Sequence, residues 1–146
     1  MLRITIASLL VTLFIFGQAG GQSPTRKPAT PKISITSAPD IGPGPDMGPD
    51  PIEGKAQVDR PGLAVVIYAF GDRWYVQPYT DSPFTSLDKD GGWSTPTHGG
   101  TVYAALLVDP HTFKAKAILD ALPRVDGKTV FAVAKRKSAK QASLHG

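Results

Sequence analysis

The sequence predicts an all-β protein: one small β-sandwich preceded by an export signal and a disordered Pro/Gly-rich arm. Three observations carry that expectation. Beyond residue 51, short apolar or alternating segments recur about every ten residues, each bounded by Gly, Pro or Asp. The first third is instead broken by proline and glycine, which remove backbone donors and raise the entropy cost of order. At the start, a basic residue, an apolar run and small residues follow one another as in a secretory signal. A small open barrel is the alternative arrangement of the same strands.

In the leader, residues 1–21, Arg3 supplies the charge and Ile4 to Phe16 the apolar run. That run is shorter than the roughly 20 residues a membrane-spanning helix needs. Cleavage after Ala19 or after Gly21 fits equally, and an uncleaved anchor is the alternative. The expected location is therefore secreted, periplasmic or cell-surface, with no membrane span once the signal is removed. The arm follows at residues 22–50, where Pro24, Pro28 and Pro31 favour extended backbone. Within it, residues 32–36 alternate Ile with polar residues, as an edge strand would. The Asp residues of the Gly-Pro and Pro-Asp repeats that follow have no metal-binding spacing and read as turn formers.

The domain is expected at residues 51–137 and a basic disordered tail at 138–146. Ile52 to Val58 reads as a strand with a bulge near Gly54. Leu63 to Phe70 is apolar at every position, as in a central strand covered from two sides. Gly71-Asp72 turns the chain into a hairpin partner, Arg73 to Gln77, and Phe84 to Leu87 is a further short strand. Trp93 to Thr95 leads out of the turn at Asp88 to Gly92. Thr101 to Val108 reads as strand despite its alanines and leucines, and Thr129 to Lys135 as the last strand. Phe113 to Leu122 is the one segment where a short helical turn competes.

The chain has no cysteine, which excludes disulfides, thiolate catalysis, Cys-ligated zinc and the lipid-anchoring cysteine of a bacterial lipoprotein. A domain this small then rests on its apolar core alone. The net charge is +4, with Lys135, Arg136, Lys137 and Lys140 together near the end. Such a tail attracts nucleic acid, anionic lipid or acidic polysaccharide, and its plainer reading is a solvated terminus. No aromatic residue follows Phe131, so the tail offers no stacking platform and nucleic acid is not an expected partner.

Ile52-Glu53-Gly54, Val66-Ile67-Tyr68, the run from Trp74 to Tyr79, Asp90-Gly91-Gly92-Trp93, Gly99-Gly100, Ala105 to Val108, Leu122-Pro123 and Ala132 to Arg136 stand in a telling order. Their order over residues 52–136 resembles bacterial immunoglobulin-like β-sandwich modules of exported proteins, some of them beside carbohydrate-active enzymes. The resemblance implies a non-catalytic accessory domain linked to extracellular polysaccharide, and it transfers no site residues.

Trp74, Tyr75, Tyr79 and Trp93 are the candidate ligand-binding residues, because flat aromatic faces stack on the apolar C–H patches of sugars. Neighbours in a strand point to opposite faces, so Trp74 and Tyr75 cannot both line one surface. Core packing is the competing role, since large aromatics carry much of a core's energy. Asp88-Lys89-Asp90-Gly91-Gly92 has the look of a calcium loop but lacks its later oxygen ligands and closing Glu, so a tight turn is expected and no metal. His98, His111 and His145 lack metal-pair spacing. No Gly-x-Ser-x-Gly turn is present, and Glu53 is the only glutamate, so no catalytic residues, cofactor or enzymatic activity are expected. The expected function is glycan binding through exposed aromatics, with an envelope structural or protein-interaction domain as the alternative. The oligomeric state is not legible.

Overall fold

The structure, a computed structural model, describes residues 20–21, 27, 29–40 and 49–138. The expected leader, save Gly20 and Gly21, residues 22–26, 28 and 41–48 of the arm, and residues 139–146 of the tail lie outside them. Nine strands are present among the described residues: β1 (Lys32–Ser37), β2 (Asp50–Gln57), β3 (Ala64–Phe70), β4 (Trp74–Gln77), β5 (Phe84–Ser86), β6 (Gly92–Thr97), β7 (Val102–Val108), β8 (Ile118–Leu119) and β9 (Val130–Lys137). No described residue is helical, and no described helix is long and apolar enough to cross a membrane.

The architecture grows from β3. Every residue from Leu63 to Ala69 is buried, and the run carries one polar side-chain atom, the Tyr68 hydroxyl. One edge of β3 pairs along its whole length with β7, and the other is shared end to end by β4 and β5, all antiparallel. β8 and β9 extend this to a six-stranded sheet in the order β8-β4-β3-β7-β9, with β5 on β3. β1, β2 and β6 form a three-stranded antiparallel sheet. The two sheets stack as a small β-sandwich.

The pleat sorts the core into two faces. Val65, Ile67, Ala69, Tyr103 and Ala105 face the small sheet and meet Ile35, Ile52 and Trp93. Val66, Tyr68, Val76, Leu106 and Val108 point the other way. No sheet covers that outer face. Phe113, Ala115, Leu119 and Leu122 of the β7–β9 connection pack on it instead.

Most expected strands stand where they were read. The short helical turn considered at Phe113 to Leu122 is absent, because the sheet captures the segment's carbonyls. The Tyr68 hydroxyl donates to Lys116 O at 3.0 Å, and Val76 N–H donates to Ala117 O at 3.0 Å. Ile118 and Leu119 then pair with β4. The expected bulge near Gly54 sits on the partner strand: Ile35 opposes Gly54 and Ser37 opposes Glu53, leaving Thr36 as the extra residue. The 88–92 segment is the tight turn expected, closed by Gly91 N–H to Asp88 O at 3.0 Å and Asp88 N–H to Gly92 O at 2.8 Å, with Gly91 at φ 80°.

Gly54 is required by packing. A Cβ there would overlap both Ser34 O and the Trp93 ring. Gly54→Ala is therefore expected to cost about 3 kcal/mol or more, from overpacking a site where backbone itself blocks relaxation. Gly62→Ala serves as the control, since Gly62 has positive φ but open space around it. Chemical denaturation of the two variants should show the larger midpoint loss at Gly54.

Asp126 gives a pH-dependent counterpart. Its Oδ1 accepts from the N–H groups of Lys128, Thr129 and Val130 at 2.9, 2.7 and 2.9 Å. These bonds hold its carboxyl below the usual carboxylate value. A depressed folded-state pKa stabilises above the unfolded value and loses that contribution as pH falls through the folded one. Asp126→Ala should thus lower the unfolding midpoint at pH 7, and the gap from the parent protein should narrow below about pH 4.

Candidate ligand-binding groove

The four aromatics singled out from the sequence do not share a surface. Trp93 points between the sheets, 3% exposed, with its ring against Gly54 and its indole N–H without a partner among the described residues. Tyr75 is half-buried, and its hydroxyl donates to Asp72 Oδ1 at 2.7 Å. That bond pulls the Asp72 carboxyl below, and pushes the Tyr75 hydroxyl above, its ordinary value. Tyr79 is 56% exposed, edge-on to His98 with ring centroids 6.4 Å apart. Trp74 begins β4 while Tyr79 lies beyond its far end, so the strand's length separates them.

Of the four, Trp74 lines an open groove. It packs on the outer face of the large sheet beside Phe70, with ring centroids 5.0 Å apart and planes inclined at 56°. The residues are directly paired across the β3–β4 hairpin, and the row continues from Leu119 through Trp74, Phe70 and Val102 to Lys137. Sequence reasoning misses Phe70: the turn expected at Gly71-Asp72 takes in Arg73 as well, and it is this third turn residue that sets Phe70 opposite Trp74.

The β7–β9 connection covers the outer face only in part. Where it stops, Phe70, Trp74 and Val102 form the floor of an open groove of about 450 Å³, bordered by Lys135 to Lys137. Lys135 stands one row along, next to the small Ala104, and its Nζ lies 5.9 Å from the centre of the Trp74 ring. This is within reach of a cation–aromatic attraction. Trp74 itself is 9% exposed, so the groove presents an edge of the indole together with half-buried Phe70.

A larger cleft of about 790 Å³ lies at the opposite end, between the Arg60–Leu63 turn, β5 and the Asp88–Gly91 turn. Phe84 is exposed at its mouth. Two of its charged side chains, Arg60 and Asp90, are held in ion pairs with residues beside the cleft, while Asp88 and Lys89 also line it. Lys55 Nζ pairs with Asp90 Oδ2 at 2.6 Å, which holds the Asp90 carboxyl below its usual value. Arg60 binds Asp59 through two hydrogen bonds of 2.9 Å and lies 4.6 Å above the Phe131 ring. Arg60 and Asp90 are thus spent on intramolecular pairs, and Phe84 is the one aromatic in the lining, so the cleft lacks a stacked floor like that of Phe70 and Trp74.

A third polar cluster joins the sheets. Buried Gln77 accepts from His98 N–H at 2.9 Å through Oε1, which also lies 3.1 Å from His98 Nδ1. Its Oε1 thus braces β4 against the residue that follows β6, while its Nε2 donates to Tyr75 O within β4 at 3.3 Å. Among the described residues no group of three or more His, Asp or Glu side chains converges as a metal site. No family model, curated protein or solved structure matches this sequence.

The groove geometry makes a spectroscopic prediction. In a Trp93→Phe variant, whose remaining tryptophan is Trp74, iodide should quench emission more effectively than caesium, because Lys135 and Lys137 concentrate anions at the groove. Replacing both lysines by Gln should remove that preference while leaving the uncharged quencher acrylamide unaffected.

Proposed function

We propose that the protein is an exported, non-catalytic binding module that holds a glycan in the Phe70–Trp74 groove. The observation that carries this reading is the groove itself: half-buried Phe70 and an edge of the largely buried Trp74 indole on a sheet face that the β7–β9 connection covers only in part. A pyranose ring presents an apolar C–H face that such a floor accepts, while its hydroxyls stay turned to solvent or to the rim. An open groove also lets a chain longer than the site enter and leave. The leader expected at residues 1–21 would bring the module to where polysaccharide is met. The resemblance to sandwich modules that accompany carbohydrate-active enzymes points the same way.

The non-catalytic part of the reading rests on what lines the groove. Glycoside hydrolysis needs two carboxyl groups across the scissile bond, and the floor and rim consist of Phe70, Trp74, Val102 and three basic residues.

A glycan-array screen of the full chain, read with tryptophan fluorescence, tests this. Saturable binding should shift emission in the parent protein and in Trp93→Phe, but not in Trp74→Phe, since only Trp74 borders the groove. Absence of binding to every neutral and acidic glycan would sink the glycan reading and leave an envelope protein-interaction module, to be pursued by partner capture.

A further inference from the structure

We infer that the groove selects acidic polysaccharide, with uronate carboxylates meeting Lys135 and Lys137. The inference rests on the glycan reading above and adds the ligand's charge.

The basic run near the end of the chain is not one uniform patch. Alternation along β9 sends Lys135 and Lys137 to the outer face, opposite Ala104 and Val102, and Arg136 to the inner one, opposite Tyr103. Arg136 has a structural task there. Its Nη1 donates to Ile35 O at 3.1 Å and to Thr36 O at 2.9 Å, tying β9 to the bulged part of β1. The two lysines have no such task. Among the described residues neither has a carboxylate within ion-pair distance, whereas Lys55, Arg60 and Arg73 each do.

Two unpaired cations about 6.6 Å apart along a strand thus flank a floor that is otherwise apolar. The Lys135 Nζ lies 5.9 Å from the indole centre, within reach of substituents on a ring laid against Phe70 and the exposed edge of Trp74. A carboxylate on that ring completes the cation's unmet pairing. Its neighbour along the chain is then placed toward Lys137.

Two other polyanions fit less well. An acidic peptide gains most of its hold by adding a strand to a free edge, and pairing along the edge of β9 would leave the floor of Phe70 and Trp74 unused. An anionic membrane surface needs apolar side chains that insert beside the cations. The exposed large apolar residues are Tyr79, Phe84, Ile118 and Val125, and none lines the groove.

The test uses the full chain and compares oligogalacturonate, its carboxyl-reduced neutral counterpart, polyglutamate, and phosphatidylglycerol vesicles by titration. Oligogalacturonate should bind at least about tenfold more tightly than the reduced form, the scale that two partly exposed ion pairs supply. Lys135→Gln with Lys137→Gln should abolish that difference, Lys135→Arg with Lys137→Arg should keep it, and Lys89→Gln with Lys128→Gln, at the opposite end of the sheet, should leave it intact. Equal binding of the acidic and reduced forms would overturn the inference while leaving the glycan reading in place. Failure of every sugar to bind would end both. Polyglutamate or vesicles binding as tightly as oligogalacturonate through the same two lysines would also overturn it, since charge alone would then suffice.

Discussion

The structure depends on covering β3 twice. A strand without a polar face cannot lie on a sheet with one side in water, because each exposed Val or Ile would forfeit roughly 1.5–3 kcal/mol of burial. The inner face of β3 is met by the three-stranded sheet. Its outer face is met by a connection with almost no regular structure, which buries Phe113 and lays Ala115, Leu119 and Leu122 beside it. A loop covers less than a sheet does, and its own carbonyls must be satisfied. The Tyr68 hydroxyl satisfies Lys116 O, and burial pushes that hydroxyl up to about 12, so it remains a donor at any ordinary pH. Without a disulfide to reinforce it, the second cover is held by packing and these few bonds. The groove is the part of the outer face it does not reach.

The sequence exposed the central strand because its apolar run has no alternation to misread. The same reasoning located β1 inside a proline-rich arm, since Ile33 and Ile35 alternate with polar residues whatever their surroundings. The fate of the tryptophans was less legible. Strand alternation says that Trp74 and Tyr75 part company, but not which side carries the second sheet and which a loop. Trp93 was decided by Gly54, thirty-nine residues earlier in the chain, whose missing side chain makes room for the indole. Nothing local to Trp93 reports that pairing. The 113–122 segment was ambiguous for a related reason: its alanines and lysines suit a helix, and only tertiary hydrogen bonds from β3 and β4 decide otherwise.

Charge is distributed unevenly between the two ends of the sandwich. At the cleft end, Asp59, Arg60, Lys55 and Asp90 neutralise one another, and exposed pairs of this kind add little stability. Asp88 and Lys89 stand beside those pairs in the same cleft. At the groove end Arg73 pairs with Asp120 at 3.7 Å, whereas Lys135 and Lys137 have no carboxylate within ion-pair distance among the described residues. Lysines on an edge strand also discourage edge-to-edge association, and that role accounts for their exposure. It does not account for an aromatic floor beside them, since edge protection needs charge and no particular neighbour.

What aims those lysines is a single extra residue. β9 pairs Val130 with Val108 and Ala132 with Leu107, so Phe131 is inserted as a bulge. Without it, the alternation from Val130 would turn Lys135 and Lys137 inward toward the small sheet and Arg136 outward, a reversal of every role described for them. The bulge is held by the far end of the molecule: Phe131 packs with Leu63 and Leu107, and the Arg60 guanidinium lies over its ring. The cleft and the groove are therefore linked through one strand. The closed corner fixes the register of β9, and that register presents two unpaired cations beside Phe70 and Trp74.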